Sequence, residues 1–145
     1  MQKINIVCVG KIKEEYLRSA TFEYLKRLSR FAKVEVRELK EERTIEEEAE
    51  AVIGAAKGYK IALCIEGEKL SSERFAEKLR SLTDIGEEIS FIIGSSCGLS
   101  QKVKKHCDFR LSFSDMTFPH QLMRVILLEQ IYRAFMINSG GEYHK

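Results

Sequence analysis

Long hydrophobic runs are missing from this 145-residue sequence. A membrane-spanning helix needs about 20 consecutive apolar residues, so no span is expected. The N-terminus, Met1-Gln2-Lys3-Ile4-Asn5-Ile6-Val7, has no charged segment leading into a long apolar block. It reads as a first strand and not as a signal peptide. The four cysteines, Cys8, Cys64, Cys97 and Cys107, form no C-x-x-C pair. Buried free thiols in a reducing cytosol are therefore expected, in preference to zinc or disulfides. Nothing in the chain is a convincing metal cluster. Gly94-x-x-x-Gly98 lacks the three glycines of a dinucleotide fingerprint, and no G-K-[ST] follows it as in a phosphate loop. There are no repeats or low-complexity segments. A net charge of +2 neither demands nor excludes a nucleic-acid partner.

What is present suits one compact domain spanning residues 1–145, with 44% hydrophobic and 32% charged residues. Apolar runs alternate with helical patterns. Ile4 to Val9, Val34 to Leu39, Ile61 to Ile65, Ile89 to Ile93 and Phe109 to Phe113 read as strands. Thr44 and Glu47 have capping-box spacing, Ser71 or Ser72 and Ser100 are in position to start helices, and Pro119 opens a last helix to about Asn138. The alternation predicts an α/β fold with a mostly parallel five- or six-stranded sheet and helices on both faces.

In such sheets ligands bind beyond the carboxyl ends of the strands. Three exits are rich in Gly, Ser or Thr: Ile65-Glu66-Gly67, Gly94-Ser95-Ser96-Cys97-Gly98 and Ser114-Asp115-Met116-Thr117-Phe118-Pro119. Small residues there let backbone approach a ligand, and ordinary βα turns need the same residues, so both readings stand. The last helix is apolar nearly all round, which predicts packing on two sides and a homodimer. Its polar residues fall into two groups: His120, Gln121 and Arg124, then Glu129, Gln130 and Arg133. Glu129 and Arg133 are spaced for an ion pair, while Arg124 or Arg133 also suits a phosphate or a base. The tail, Gly140-Gly141-Glu142-Tyr143-His144-Lys145, reads either as a frayed end or as a stacking face, a titratable group and a cation brought together.

Phe113 to Gln121, Arg124-Val125, Glu129 to Phe135 and the terminal Tyr143-His144-Lys145 together resemble the ribosomal RNA large-subunit methyltransferase H family, of the SPOUT class. The similarity runs from Val9-Gly10-Lys11 to Lys145. It implies a C-terminal trefoil knot, a rare exception to the usual rules of chain connection. It also implies a cytoplasmic homodimer that uses S-adenosylmethionine to methylate N3 of a pseudouridine in 23S ribosomal RNA, on the assembled ribosome. By resemblance the cofactor pocket maps to Leu63, Gly94, Phe113, Ser114, Asp115, Met116, Thr117 and Phe118. The catalytic group maps to Arg133, Tyr143, His144 and Lys145, with His144 accepting a proton or positioning the base. The sequence departs from the family pattern at Ser95, where a second glycine is usual, and at Cys97 and Asp115. A SPOUT enzyme for another RNA site and a non-catalytic ribosome-binding factor are the alternatives. Lys26, Arg27, Arg30 and Lys33, and Lys102, Lys104, Lys105 and Arg110, are either RNA contacts or solvated faces.

Overall fold

The computed structural model describes residues 1–141 and Tyr143. Among these residues, strands and helices alternate: β1 (Gln2–Val9), α1 (Glu15–Leu28), β2 (Ala32–Leu39), α2 (Ile45–Ala55), β3 (Tyr59–Lys69), α3 (Ser72–Asp84), β4 (Ile89–Ile93), α4 (Gln101–His106), β5 (Phe109–Ser112) and α5 (His120–Asn138). The strands form one parallel sheet in the order β2-β1-β4-β3-β5. Strand pleating divides the core in two. Ile4, Ile6 and Cys8 face α1, α3 and α5, whereas Val7 and Val9 face α2 and α4. Buried on both faces, the central strand β4 is apolar apart from Ser90, as parallel strands tend to be.

Local chemistry starts the helices. The hydroxyl of Thr44 accepts from the Glu47 N–H at 3.2 Å, that of Ser71 from Arg74 at 3.1 Å, and that of Ser100 from Val103 at 3.2 Å. Each cap satisfies an N–H that the helix leaves unpaired. At the far end of α5, Gly140 takes φ +75°, a left-handed turn that glycine enters without strain.

Two expectations need correction. The chain does not leave the sheet at Ile65-Glu66-Gly67. Leu111 of β5 lies opposite both Leu63 and Glu68, so residues 64–67 form a bulge inside a longer β3. Gly67 permits this, because a Cβ there would stand 2.8 Å from the backbone of Arg110 and Leu111. The cysteines are free, but only Cys8 is buried. Cys97 is exposed, because it sits in a loop, and Cys64 and Cys107 are half-buried. Among the described residues, no helix is long and apolar enough to cross a membrane.

Candidate active site

The bulge after Leu63, the turn after β4 and the segment between β5 and α5 meet at the carboxyl end of the sheet around a cavity of about 530 Å³. This volume falls in the range of small-molecule sites, roughly 300–1,000 Å³. Leu63, Leu111, Phe113 and Phe118 supply apolar wall, and Gly94 and Gly98 bring bare backbone to the surface. Gly94 has no room for a side chain, since a Cβ would lie 2.4 Å from the Gly98 carbonyl oxygen. Gly98 adopts φ +83° and its N–H closes the turn on the Ser95 carbonyl at 2.8 Å.

Ser95 is accommodated by α2. Its hydroxyl lies 3.4 Å from Oε1 of the buried Glu48, whose other oxygen accepts the Glu42 N–H at 3.0 Å. The Ser114 hydroxyl accepts the Met116 N–H at 2.9 Å and so turns the chain toward α5. Seven of the eight expected pocket positions, Leu63, Gly94, Phe113, Ser114, Met116, Thr117 and Phe118, line this cavity. Asp115 does not. It is 80% exposed and pairs with Lys69 at 2.5 Å, which offsets its charge.

His120 and Lys104, which the sequence marked only as part of a polar sector and of a basic group, also line the cavity. Burial lowers the His120 pKa from its ordinary 6.5, helped by the charge of nearby Arg124, and this favours the neutral imidazole. A histidine next to the proline that starts α5 was the available signal. Lys104 pairs with Glu66, and that contact holds the Glu66 carboxyl below its ordinary value. Lys102 pairs likewise with Glu50, and Arg27 with Glu23 at 2.9 Å. Part of each basic group is therefore neutralised in place.

The two polar groups of α5 have separate fates. Arg124 is 1% exposed, donating to Glu38 at 2.6 Å and to the Gly10 carbonyl at 3.1 Å. It therefore braces α5 against β2 and the turn after β1, and is withdrawn from any phosphate at the cavity. Arg133 pairs with Glu129 at 3.1 Å, and the Tyr143 hydroxyl donates to the same carboxylate at 2.9 Å. The Arg133 guanidinium lies 4.9 Å from the Tyr143 ring centre, and Tyr132 meets that ring edge-on at 5.0 Å. Burial, then the bond to Glu129, pushes the Tyr143 phenol up to about 12. His144 and Lys145 lie outside the described residues. The arrangement thus brings Arg133 and Tyr143 together but leaves them off the cavity wall.

The family model described as "Predicted SPOUT methyltransferase" matches residues 2–144. A protein of Bacillus cytotoxicus named ribosomal RNA large subunit methyltransferase H is 50% identical, over 98% of this chain and 99% of its own. A protein of the same name from Streptococcus thermophilus is 47% identical over 99% of each. Among solved structures, a tRNA (m1G37) methyltransferase from Aquifex aeolicus superposes with a TM-score of 0.56 at 18% identity. It covers 91% of this chain and 70% of that one. The methyltransferase AviRb from Streptomyces viridochromogenes, in complex with AdoMet, gives 0.53 at 11% identity, covering 97% of this chain and 60% of that one. At these identities the structural likeness carries the fold alone.

Proposed function

The chain belongs to the SPOUT methyltransferase family, and from that membership we propose that it methylates 23S ribosomal RNA at N3 of a pseudouridine, with S-adenosylmethionine as donor. The relatives' names supply the ribosomal RNA, and the resemblance supplies the base and the nitrogen. The observation that carries the reading is the cavity of about 530 Å³ formed where three segments converge at the sheet's carboxyl end. Its size, its apolar wall and a Gly94 position that rejects even a methyl group suit a cofactor held largely by main chain.

Leu63, Gly94, Phe113, Ser114, Met116, Thr117 and Phe118 would hold the cofactor, which supplies an electrophilic methyl group when bound. Asp115, outside the wall, would at most shape the rim through Lys69. The chain's own residues must orient the base and take up or stabilise the charge left when N3–H loses its proton. Arg133 and Lys145 take the phosphate or the developing anion. Tyr143 stacks or donates a hydrogen bond, and His144 accepts the proton or positions the base.

The active unit is a homodimer. Leu122, Val125 and Ile126 lie on the face of α5 opposite its buried residues, half-buried, and belong to neither core cluster. His120 at the cavity and Arg133 are 13 residues apart, about 20 Å along the helix. A two-fold axis crossing α5 would set one copy's Arg133 toward its partner's cavity. Sedimentation of the wild-type protein that returned only monomer at micromolar concentration would remove this arrangement. The reaction itself is tested by transfer of labelled methyl to purified ribosomes lacking the modification. Incorporation at one pseudouridine, stronger on ribosomes than on naked RNA, is expected, and no incorporation on either refutes the proposal.

A further inference from the structure

Among the described residues, Lys104 and Glu66 are the only formally charged side chains in the wall of the cavity at the sheet's carboxyl end. Its other polar side chains are hydroxyls, such as Ser95, Ser112 and Thr117, and His120, which burial pushes toward its neutral form. The two charges face each other, with Lys104 Nζ donating to Oε1 of Glu66. They lie at different depths. The Lys104 side chain is 14% accessible and that of Glu66 is 55%. Lys104 reaches in from α4, which packs against β3. Glu66 belongs to the bulge of β3, and a bulge re-aims the side chains it carries. An ordinary surface pair leaves both ends in water and contributes little. Here the lysine end is withdrawn from water and turned to the cavity instead.

We propose that Lys104 takes the α-carboxylate of S-adenosylmethionine and Glu66 its α-ammonium, so that this pair selects ligands with an amino-acid tail. The proposal rests on the cofactor reading of the cavity above. S-adenosylmethionine carries a sulfonium, an ammonium and a carboxylate. The carboxylate is its only negative group, and Lys104 is the only cation in the described wall. A simple anion fits poorly beside Glu66, and a simple cation poorly beside Lys104. A tail bearing both signs meets an opposite charge at each end, and the four charges then alternate in sign. The product, S-adenosylhomocysteine, keeps the same tail, so its affinity reads the contact with no methyl transfer.

The test measures three affinities by calorimetry on the full-length protein. S-adenosylhomocysteine has the whole tail, S-adenosyl-3-thiopropylamine keeps the ammonium without the carboxylate, and 5′-methylthioadenosine lacks both. Lys104→Met keeps the length of the side chain and removes its charge. It should weaken S-adenosylhomocysteine about tenfold, the value of one charge-assisted hydrogen bond, and leave 5′-methylthioadenosine unchanged. Glu66→Gln should weaken the thiopropylamine about threefold, a smaller loss because Glu66 stands largely in solvent, and should again spare 5′-methylthioadenosine. Unchanged S-adenosylhomocysteine affinity in Lys104→Met overturns the proposal. So does an equal loss of 5′-methylthioadenosine, which would make Lys104 a support of the fold, and so does a thiopropylamine indifferent to Glu66→Gln. A KM for ribosomes that rises in Lys104→Met while S-adenosylhomocysteine binds as in wild type assigns Lys104 to the RNA and also overturns it. The cofactor reading fails separately, if the wild-type protein binds none of the three.

Discussion

The two polar regions along α5 are made of different materials. Near His120 the walls are largely backbone, apolar side chains and small hydroxyl residues, and glycines set their shape. Near Arg133, among the described residues, the side chains of Glu129, Arg133 and Tyr143 bind one another. The first region is an open cavity. In the second, Arg133 already pairs with Glu129, so an incoming phosphate or base anion must compete with Glu129 for Arg133. The pair is only partly exposed, with side chains 24% and 19% accessible, so solvent screens it incompletely and the competitor must itself carry negative charge. A backbone-built pocket and an exchangeable ion pair are what binding a donor and then recognising a charged acceptor require.

The contrast is broken most severely at Arg133. Arg133→Ala should lower kcat for methyl transfer by about 10²- to 10³-fold, the loss typical of one preorganised charge-stabilising group. Cofactor affinity, measured by calorimetry, should stay close to wild type. Equal losses in both would show that Arg133 supports the pocket and that the two regions are one.

The reverse change is Gly94→Ala. The new methyl group must displace the Gly98 carbonyl or the loop that carries it. Overpacking of this kind costs about 1–3 kcal/mol, so cofactor affinity should fall roughly 10- to 100-fold. The Arg133–Glu129–Tyr143 contacts, remote from that turn, should survive. Wild-type affinity in this variant would mean that the cofactor does not lie against Gly94.

The first region was far more legible in the sequence than the second. Alternating apolar runs predicted the α/β sheet, and Ser114 to Pro119 and Gly94 to Gly98 stood out because small residues at strand exits mark close backbone approach. Those are local signals. What stayed hidden depends on residues distant in sequence. Arg124 looked available for phosphate because Glu38, its partner 86 residues away, cannot be paired with it from spacing. The bulge after Leu63 is set by the register of β5, which periodicity does not encode. The resemblance mapped the position of Asp115 to the expected pocket, but the backbone at Ser114 and Met116 turns it outward to Lys69. The residues proposed to act near Arg133 were marked by resemblance and not by composition, and His144 and Lys145 lie outside the described residues.

The smallest expected effect sharpens the comparison by pH, because each region holds one group displaced toward its neutral form. Tyr143, raised to about 12, keeps its proton, and its bond to Glu129, across the neutral range. His120 is shifted downward, mainly by burial and then by Arg124, so its imidazole is neutral at pH 7. A lowered histidine pKa gives stability that is present above the unfolded value near 6.5 and is lost as pH falls, since the unfolded imidazole takes up its proton first. Below that range, protonated His120 adds positive charge to the wall of the cavity proposed to take the sulfonium cation. Cofactor affinity should therefore weaken on acidification, by only about two- to threefold because the half-exposed ring is screened. His120→Asn should remove this acid dependence and leave turnover at neutral pH near wild type. Acid dependence that persists in the variant would move the titrating group away from the cavity, to the second region.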